Sequence, residues 1–348
     1  MIIYEYVNGF SFYNRNDRGP GMNIYDIARE AGVSIATVSR VINNKGYVSE
    51  KTRLKIQKVL DENGYQPSAI ARGLVTGSMK TIAILAVDVR VPHYAMTVYI
   101  MESMLSEAGY SVMVCNTGED SGKTLKYIQI LVKKNVDGII LIGSIYRKLC
   151  TKEVLRLLGN IPVVMANGRI DKENFYSVLV DDGYGIGLAV RHMYETGHRK
   201  IAYVRDRQTE SALRKQKGFE ETLTSLGYED PARHVFSTSY GLDGGRAAAE
   251  KILEHPHGYD AVVCGEDLTA VGVLYGVLDH GIRVPDQISV SGCNNSEYAM
   301  VCNPQLTSVN NKGEVLSRLS VELLRDILTG QKEPTELVIL PELVVRQT

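Results

Sequence analysis

From Thr81 onward, uninterrupted apolar runs alternate with amphipathic segments, and this alternation constrains the chain more than any other feature. TIAILAV (81–87), SVMVCN (111–116), DGIILIG (137–143), PVVMAN (162–167), KIAYV (200–204), AVVCG (261–265) and ISVSGC (288–293) read as strands. Between them, YIMESMLSEAG (99–109), TLKYIQILVKKN (124–135), YGIGLAVRHMYETGH (184–198), KGFEETLTSLG (217–227) and LTAVGVLYGVLDHG (268–281) have helical spacing. A strand that is apolar on both faces needs cover on both, which parallel sheets flanked by helices supply. There are too many units for one small sheet. Two doubly wound lobes are expected, with ligands at the carboxyl ends of the strands.

The segment from Met22 to Gly64 follows a helical period instead. Ile24, Ile27, Ala28 and Ala31 form one stripe, stopped by Gly32. Ser34 can cap a second short helix carrying Val38, Val41 and Ile42, and Ser49 a third carrying Ile56, Val59 and Leu60. Helix, glycine turn, then a short helix rich in Thr, Ser, Arg and Asn is the pattern of a helix-turn-helix. The second helix of such a motif can enter the DNA major groove, and Ile35, Ala36, Thr37, Ser39, Arg40 and Asn43 project from it or just past it.

Charge agrees with this division. The net charge of the 348-residue chain is −1, yet residues 22–80 carry nine Lys/Arg against five Asp/Glu, and residues 81–348 carry 28 against 33. A basic head on an acidic body suits a head that meets a polyanion. No apolar run is long enough for a membrane helix, and MIIYEYVNGFSFYNRNDRGPG (1–21) lacks the features of a secretory signal, so a soluble cytoplasmic protein is expected. Residues 1–21 have no clear period and read as an extension ahead of a natural start at Met22 or as a flexible arm. Five cysteines without a CxxC pair fit a reducing compartment and give no zinc motif. No metal or cofactor is expected.

The run DIAREAGVSIATVSRVIN (26–43) resembles the DNA-binding domain of the LacI/GalR family of bacterial transcription regulators. VRVPHYAM (89–96), VDDGYGIGLAVRHMYETGHRKIAYV (180–204), CGEDLTAVGVL (264–274), ISVSGCNNSEYA (288–299), PQLTSV (304–309) and PELVVRQT (341–348) also have counterparts there, so the resemblance spans nearly all of 22–348. It implies a helix-turn-helix head at 22–67, a hinge helix and linker at 68–80, and a periplasmic-binding-protein-like core of two lobes at 81–348. The implied function is a ligand-responsive regulator, expected to be a repressor of carbohydrate-utilisation genes. It would bind a pseudo-palindromic operator in double-stranded DNA as a side-by-side homodimer. In Ala71-Arg72-Gly73-Leu74 the resemblance makes Leu74 the wedge that a DNA-ordered hinge drives into the minor groove. No heptad run follows 341–348, so a dimer is expected rather than a tetramer.

The resemblance also implies an effector cleft. Tyr94 falls where a ring stacks on the effector; Lys215 takes the place of a usual Arg, with Arg214 just before it. Glu266 stands where Asn is common, and Asn294 where Asp is frequent; Asn311 and Asn167 complete the candidates. One cation, one anion, amides and a ring suit a neutral polyhydroxy ligand, a sugar or derivative. Two rival readings follow. A catabolite-control regulator would bind a phosphorylated carrier protein through Arg318, but the Lys implied one turn later is Glu322. A solute-binding protein would need an export signal and no DNA-binding head. No nucleophile elbow or other catalytic constellation points to an enzyme. TGEDSGKT (117–124) imitates a phosphate-binding loop but lacks its first glycine, so a polar strand–helix turn is expected there.

Overall fold

The computed structural model describes residues 22–42, 46–65, 77–331 and 334–348. The chain forms two compact units, parted between Met79 and Lys80. The expected extension at 1–21, most of the expected hinge at 68–80 with Leu74, and Asn43 lie outside the described residues.

The first unit holds three helices, α1 (Ile24–Glu30), α2 (Ile35–Ile42) and α3 (Glu50–Glu62). Each start is fixed by a side chain that accepts an otherwise orphaned backbone N–H. Asn23 caps α1 in a reciprocal box with Asp26. The Ser34 hydroxyl accepts from Thr37 N at 3.2 Å and Ser49 caps α3. Gly32, at φ +62°, makes the turn between α1 and α2, a conformation that costs glycine little. Ile27, Ala28, Ala31, Val38, Val41, Ile56, Val59 and Leu60 bury together as the core of this unit.

The second unit contains two six-stranded sheets. In the first lobe β1 (Thr81–Ala86), β2 (Ser111–Asn116), β3 (Gly138–Ile142), β4 (Val163–Ala166) and β5 (Phe175–Val180) pair in parallel, with the later β11 (Glu336–Ile339) beside β5. In the second lobe β6 (Ile201–Arg205), β7 (Val235–Ser237), β8 (Ala261–Cys264), β9 (Ser289–Cys293) and β10 (Thr307–Asn310) are parallel, and β12 (Glu342–Val344) runs antiparallel to β10. The strand pleat sends alternate residues to opposite cores. Ala83, Leu85, Ile139 and Leu141 join one cluster, while Ile82, Ile84, Ile140 and Ile142 join another. The second lobe repeats this with Ala202 and Val262 against Ile201, Tyr203, Ala261 and Val263.

The chain crosses between the lobes three times. It leaves β5 for the helix Asp182–Glu195, whose Ile186, Ala189 and Val190 pack in the second lobe. It returns after β10 into the helix Gly313–Leu328, whose Val321, Leu323 and Leu324 pack in the first. It crosses last between β11 and β12. The cleft between the lobes therefore lies beside all three crossings.

Candidate functional site

On the head, Val38 and Val41 pin α2 into the core and leave its opposite face outward. Ile35, Ala36 and Arg40 are exposed, and Thr37 and Ser39 are half-buried. The Thr37 hydroxyl shares a 2.8 Å hydrogen bond with the Ser34 hydroxyl, so a base contact from Thr37 would work around that bond. The N-terminal end of α2 also carries the positive end of the helix dipole.

In the core, the candidate side chains stand where strands end and helices begin. Tyr94 sits in the first turn of the helix Pro92–Glu107, two residues after the proline that starts it. Asn167 and Asn294 follow β4 and β9 in left-handed backbone, at φ +58° and +99°. Glu266 precedes the helix Asp267–Asp279, and Lys215 lies on the helix Glu210–Ser225. Tyr94, Asn167, Lys215, Glu266, Asn294 and Asn311 line one cavity between the lobes, of about 790 Å³ with its open mouth included. Arg214 does not line it. The Arg214 guanidinium pairs with the buried Asp182 carboxylate at 2.7 Å and donates to Asn167 Oδ1 at 3.2 Å, beside the first crossing.

A polar chain runs through the cavity. Buried Lys215 donates to the Gly265 carbonyl at 2.7 Å and pairs with Glu266 at 3.5 Å. Asn294 donates to the other Glu266 oxygen, and Asn311 Nδ2 donates to Asn294 Oδ1 at 2.7 Å. Burial works against the Lys215 ammonium, but Cys293, Glu266 and Asp182 around it hold its pKa well above the ordinary value. It stays charged.

Residues outside the sequence-derived set also line the cavity: His93, Arg207, Ser144, Thr209 and Ser211 among them. Burial, reinforced by Lys215 and Arg207, pushes His93 down to about 3, so its ring is neutral. Burial pushes the Tyr94 phenol up to about 12. Asp206, next to Arg207, is raised to about 6 by burial and by Glu266, and accepts from the Thr269 hydroxyl. Arg207 was findable by the rule that found Asn167, since it lies just past the carboxyl end of the strand KIAYV (200–204). His93 adjoins Tyr94 in the chain.

The remaining motifs settle locally. Asp120 caps the helix Ser121–Lys133 by accepting from Gly122 N at 2.7 Å and Lys123 N at 3.1 Å, so amides that a phosphate would need are engaged. All five cysteines are buried free thiols. Among the described residues no helix is long and apolar enough to cross a membrane. Arg318 is exposed and pairs with Glu314 at 3.0 Å.

Comparison with known proteins agrees with this geometry. Residues 23–68 match the family of bacterial regulatory proteins, lacI family, and residues 190–348 match a periplasmic binding protein-like domain. An HTH-type transcriptional regulator of Lachnoclostridium phytofermentans is 34% identical over 94% of this chain and 99% of its own. Catabolite control protein A of Priestia megaterium is 30% identical over 92% of this chain and 96% of its own. Among solved structures, the cellobiose complex of the transcriptional regulator CelR is 28% identical, with a TM-score of 0.69, covering 94% of this chain and 99% of that one. The lac repressor dimer bound to operator shares the fold, with a TM-score of 0.81 at 24% identity over 94% of this chain and 98% of that one. With a relative this similar along almost its whole length, the chain belongs to the lacI family of bacterial regulatory proteins and is a helix-turn-helix transcriptional regulator.

Proposed function

We propose that this chain is a cytoplasmic repressor that binds a pseudo-palindromic operator as a homodimer, with a grip that changes when a neutral polyhydroxy ligand, a sugar or sugar derivative, fills the cleft. One observation carries the reading. A single chain joins a helix-turn-helix that turns Ile35, Ala36 and Arg40 outward to a core whose two lobes share one polar cavity. In this reading residues 22–67 are the head, with Asn43 as a further base contact, 68–80 the hinge with Leu74 as its wedge, and 81–348 the core.

The cavity chemistry supports a neutral ligand. Lys215 and Glu266 compensate each other, and neutral His93, the Tyr94 phenol and the Asn167, Asn294 and Asn311 amides supply uncharged donors and acceptors. A hydroxyl both donates and accepts, so it can join such a network without leaving a buried charge unpaired. A ligand that prefers one lobe arrangement would bias the hinge and thereby the operator affinity. The relative held with cellobiose in its structure supports a saccharide.

The test is fluorescence anisotropy on an operator selected from a random duplex library, with and without a panel of saccharides, sugar acids and sugar phosphates. Sequence-selective binding that a neutral saccharide shifts is the expected result. Equal affinity for operator and random DNA, or an operator affinity that no member of the panel changes, overturns the reading. A response to a phosphorylated carrier protein alone would favour the catabolite-control reading.

A further inference from the structure

A second chamber opens beside the effector cavity, and the two share Ile145, Arg207 and Thr209 in their walls. The outer chamber encloses about 880 Å³, its open mouth included, and both lobes build it. Glu119, Lys148 and Leu149 come from the first lobe; Asp206, Gln208 and Tyr240 come from the second. Contacts between the lobes close its wall. Lys148 Nζ donates to the Gln208 carbonyl at 3.0 Å, and Arg147 pairs with Glu210. Arg207 stands at the passage between the chambers, its guanidinium 4.0 Å over the Tyr240 ring and 3.5 Å from Glu119.

We infer that this chamber is an outer saccharide subsite, so that the effector is a disaccharide or longer, with one unit against Tyr94 and Glu266 and the next against Tyr240 and Arg207. The inference rests on the saccharide reading above and extends it. With Arg207 stacked on one face of the Tyr240 ring, the remaining apolar surface of the ring, beside carboxylates, an amide and the guanidinium, offers a sugar unit both apolar contact and hydrogen-bonding partners. Both cations of the chamber already have partners, Lys148 on a carbonyl and Arg207 on Glu119 and Tyr240. A neutral hydroxyl can join those contacts, whereas a phosphate would bring its charge up against the Glu119 and Asp206 carboxylates of the same wall. Because both lobes line the chamber, a unit bound there bridges them and adds to the bias on lobe arrangement.

Calorimetry on the full chain tests this with glucose, galactose and mannose against cellobiose, maltose, lactose and sucrose. One disaccharide is expected to bind at least about tenfold more tightly than its constituent monosaccharides. Tyr240→Ala is expected to shrink that ratio to within about threefold of unity, while Tyr240→Phe, which keeps the ring, preserves most of it. Circular dichroism of both variants checks that the fold is retained. A disaccharide that binds no better than its monosaccharides, or a ratio that Tyr240→Ala leaves unchanged, overturns the outer subsite and leaves the inner cavity assignment standing. No heat with any of the seven sugars overturns the subsite and counts against the saccharide reading as well.

Discussion

Replacing Lys215 by methionine keeps most of the buried aliphatic volume and removes the charge. The Lys215 side chain is 5% exposed and that of Glu266 15%, so the change strands an acid in a poorly hydrated wall. Two contacts disappear, the 2.7 Å bond to the Gly265 carbonyl and the 3.5 Å ion pair. Removing one partner of a fully buried pair costs about 3–5 kcal/mol, mostly because the other charge is left uncompensated. Here Asn294 still donates to Glu266 and the cavity opens to solvent, which lowers the expected loss to about 2–4 kcal/mol. Urea unfolding of the wild type, Lys215→Met, Glu266→Gln and the double variant measures it. Adding Glu266→Gln to Lys215→Met should recover about 1–3 kcal/mol, because the stranded charge is gone. If the double variant is no more stable than Lys215→Met alone, the loss comes from packing and not from an unpaired Glu266, and the electrostatic account of the cavity is wrong. Calorimetry on the same variants should show ligand affinity lost in both single substitutions.

Other consequences can be measured separately. Thr37→Ala should weaken operator binding by about 1–3 kcal/mol and binding to random DNA far less, by anisotropy in matched salt; equal loss on both would remove Thr37 from base reading. Ile56→Ala opens a cavity at a fully buried position of the head and should cost it about 2–5 kcal/mol. DNA binding would fall while ligand heats persist, unless the head owes its fold to something other than this core. Asp206 has a folded pKa raised from 3.8 to about 6, so its neutral form is the one that folding favours, and its contribution to stability is present at low pH and lost as pH rises through about 6. Asp206→Asn should therefore gain on the wild type by about 1 kcal/mol between pH 5 and pH 7 in urea unfolding, and a difference that is flat with pH would contradict the shift.

How much of this was legible in the sequence depended on how locally each element is specified. Most of the central strands were plain because burial on both faces demands unbroken apolar runs, as in Ile82 to Ala86, all fully buried, but Phe175–Val180 and Thr307–Asn310 went unread. The helix Leu242–Leu253 escaped notice because LDGGRAAAEKIL hides its period behind small residues. Its reason is tertiary. A Cβ on Gly245 would lie 2.2 Å from the Thr269 carbonyl, and one on Gly272 would lie 2.3 Å from the Leu242 carbonyl. The two helices meet backbone to backbone, and that packing overrides glycine's poor helix propensity. The edge strands Val235–Ser237, Glu336–Ile339 and Glu342–Val344 are short and half-covered, so only the neighbouring strand defines them. The helix Gly313–Leu328 did carry a signal in Leu316, Ser320, Leu323 and Leu324, which the sequence reading passed over. At the site, the end-of-strand rule found Asn167 and the family resemblance Asn294, while side-chain pairing across the fold, invisible in one dimension, set Arg214 apart from Lys215.

That separation bears on how the cleft discriminates among ligands. Arg214 and Lys215 are adjacent in sequence, yet one serves the crossing and the other the cavity. Arg214 ties Asp182, just past the first crossing, to Asn167 at the end of β4, and Asn167 Oδ1 also accepts from Val180 N at 3.2 Å. The Asn167 carbonyl oxygen is thus occupied by the scaffold, which leaves its amide nitrogen as the group it can offer a ligand. On the opposite wall Asn294 and Asn311 spend a donor each on the Glu266 chain. Lys215 and Glu266 hold each other as a pair, and Arg207 is held against Glu119 and Tyr240. On the proposed assignment, selectivity falls to directional hydrogen bonding by partly committed groups rather than to bulk charge. An added charge on a ligand would gain little here, whereas a misplaced hydroxyl would leave a desolvated donor or acceptor unpaired, at a cost of about 1–3 kcal/mol each.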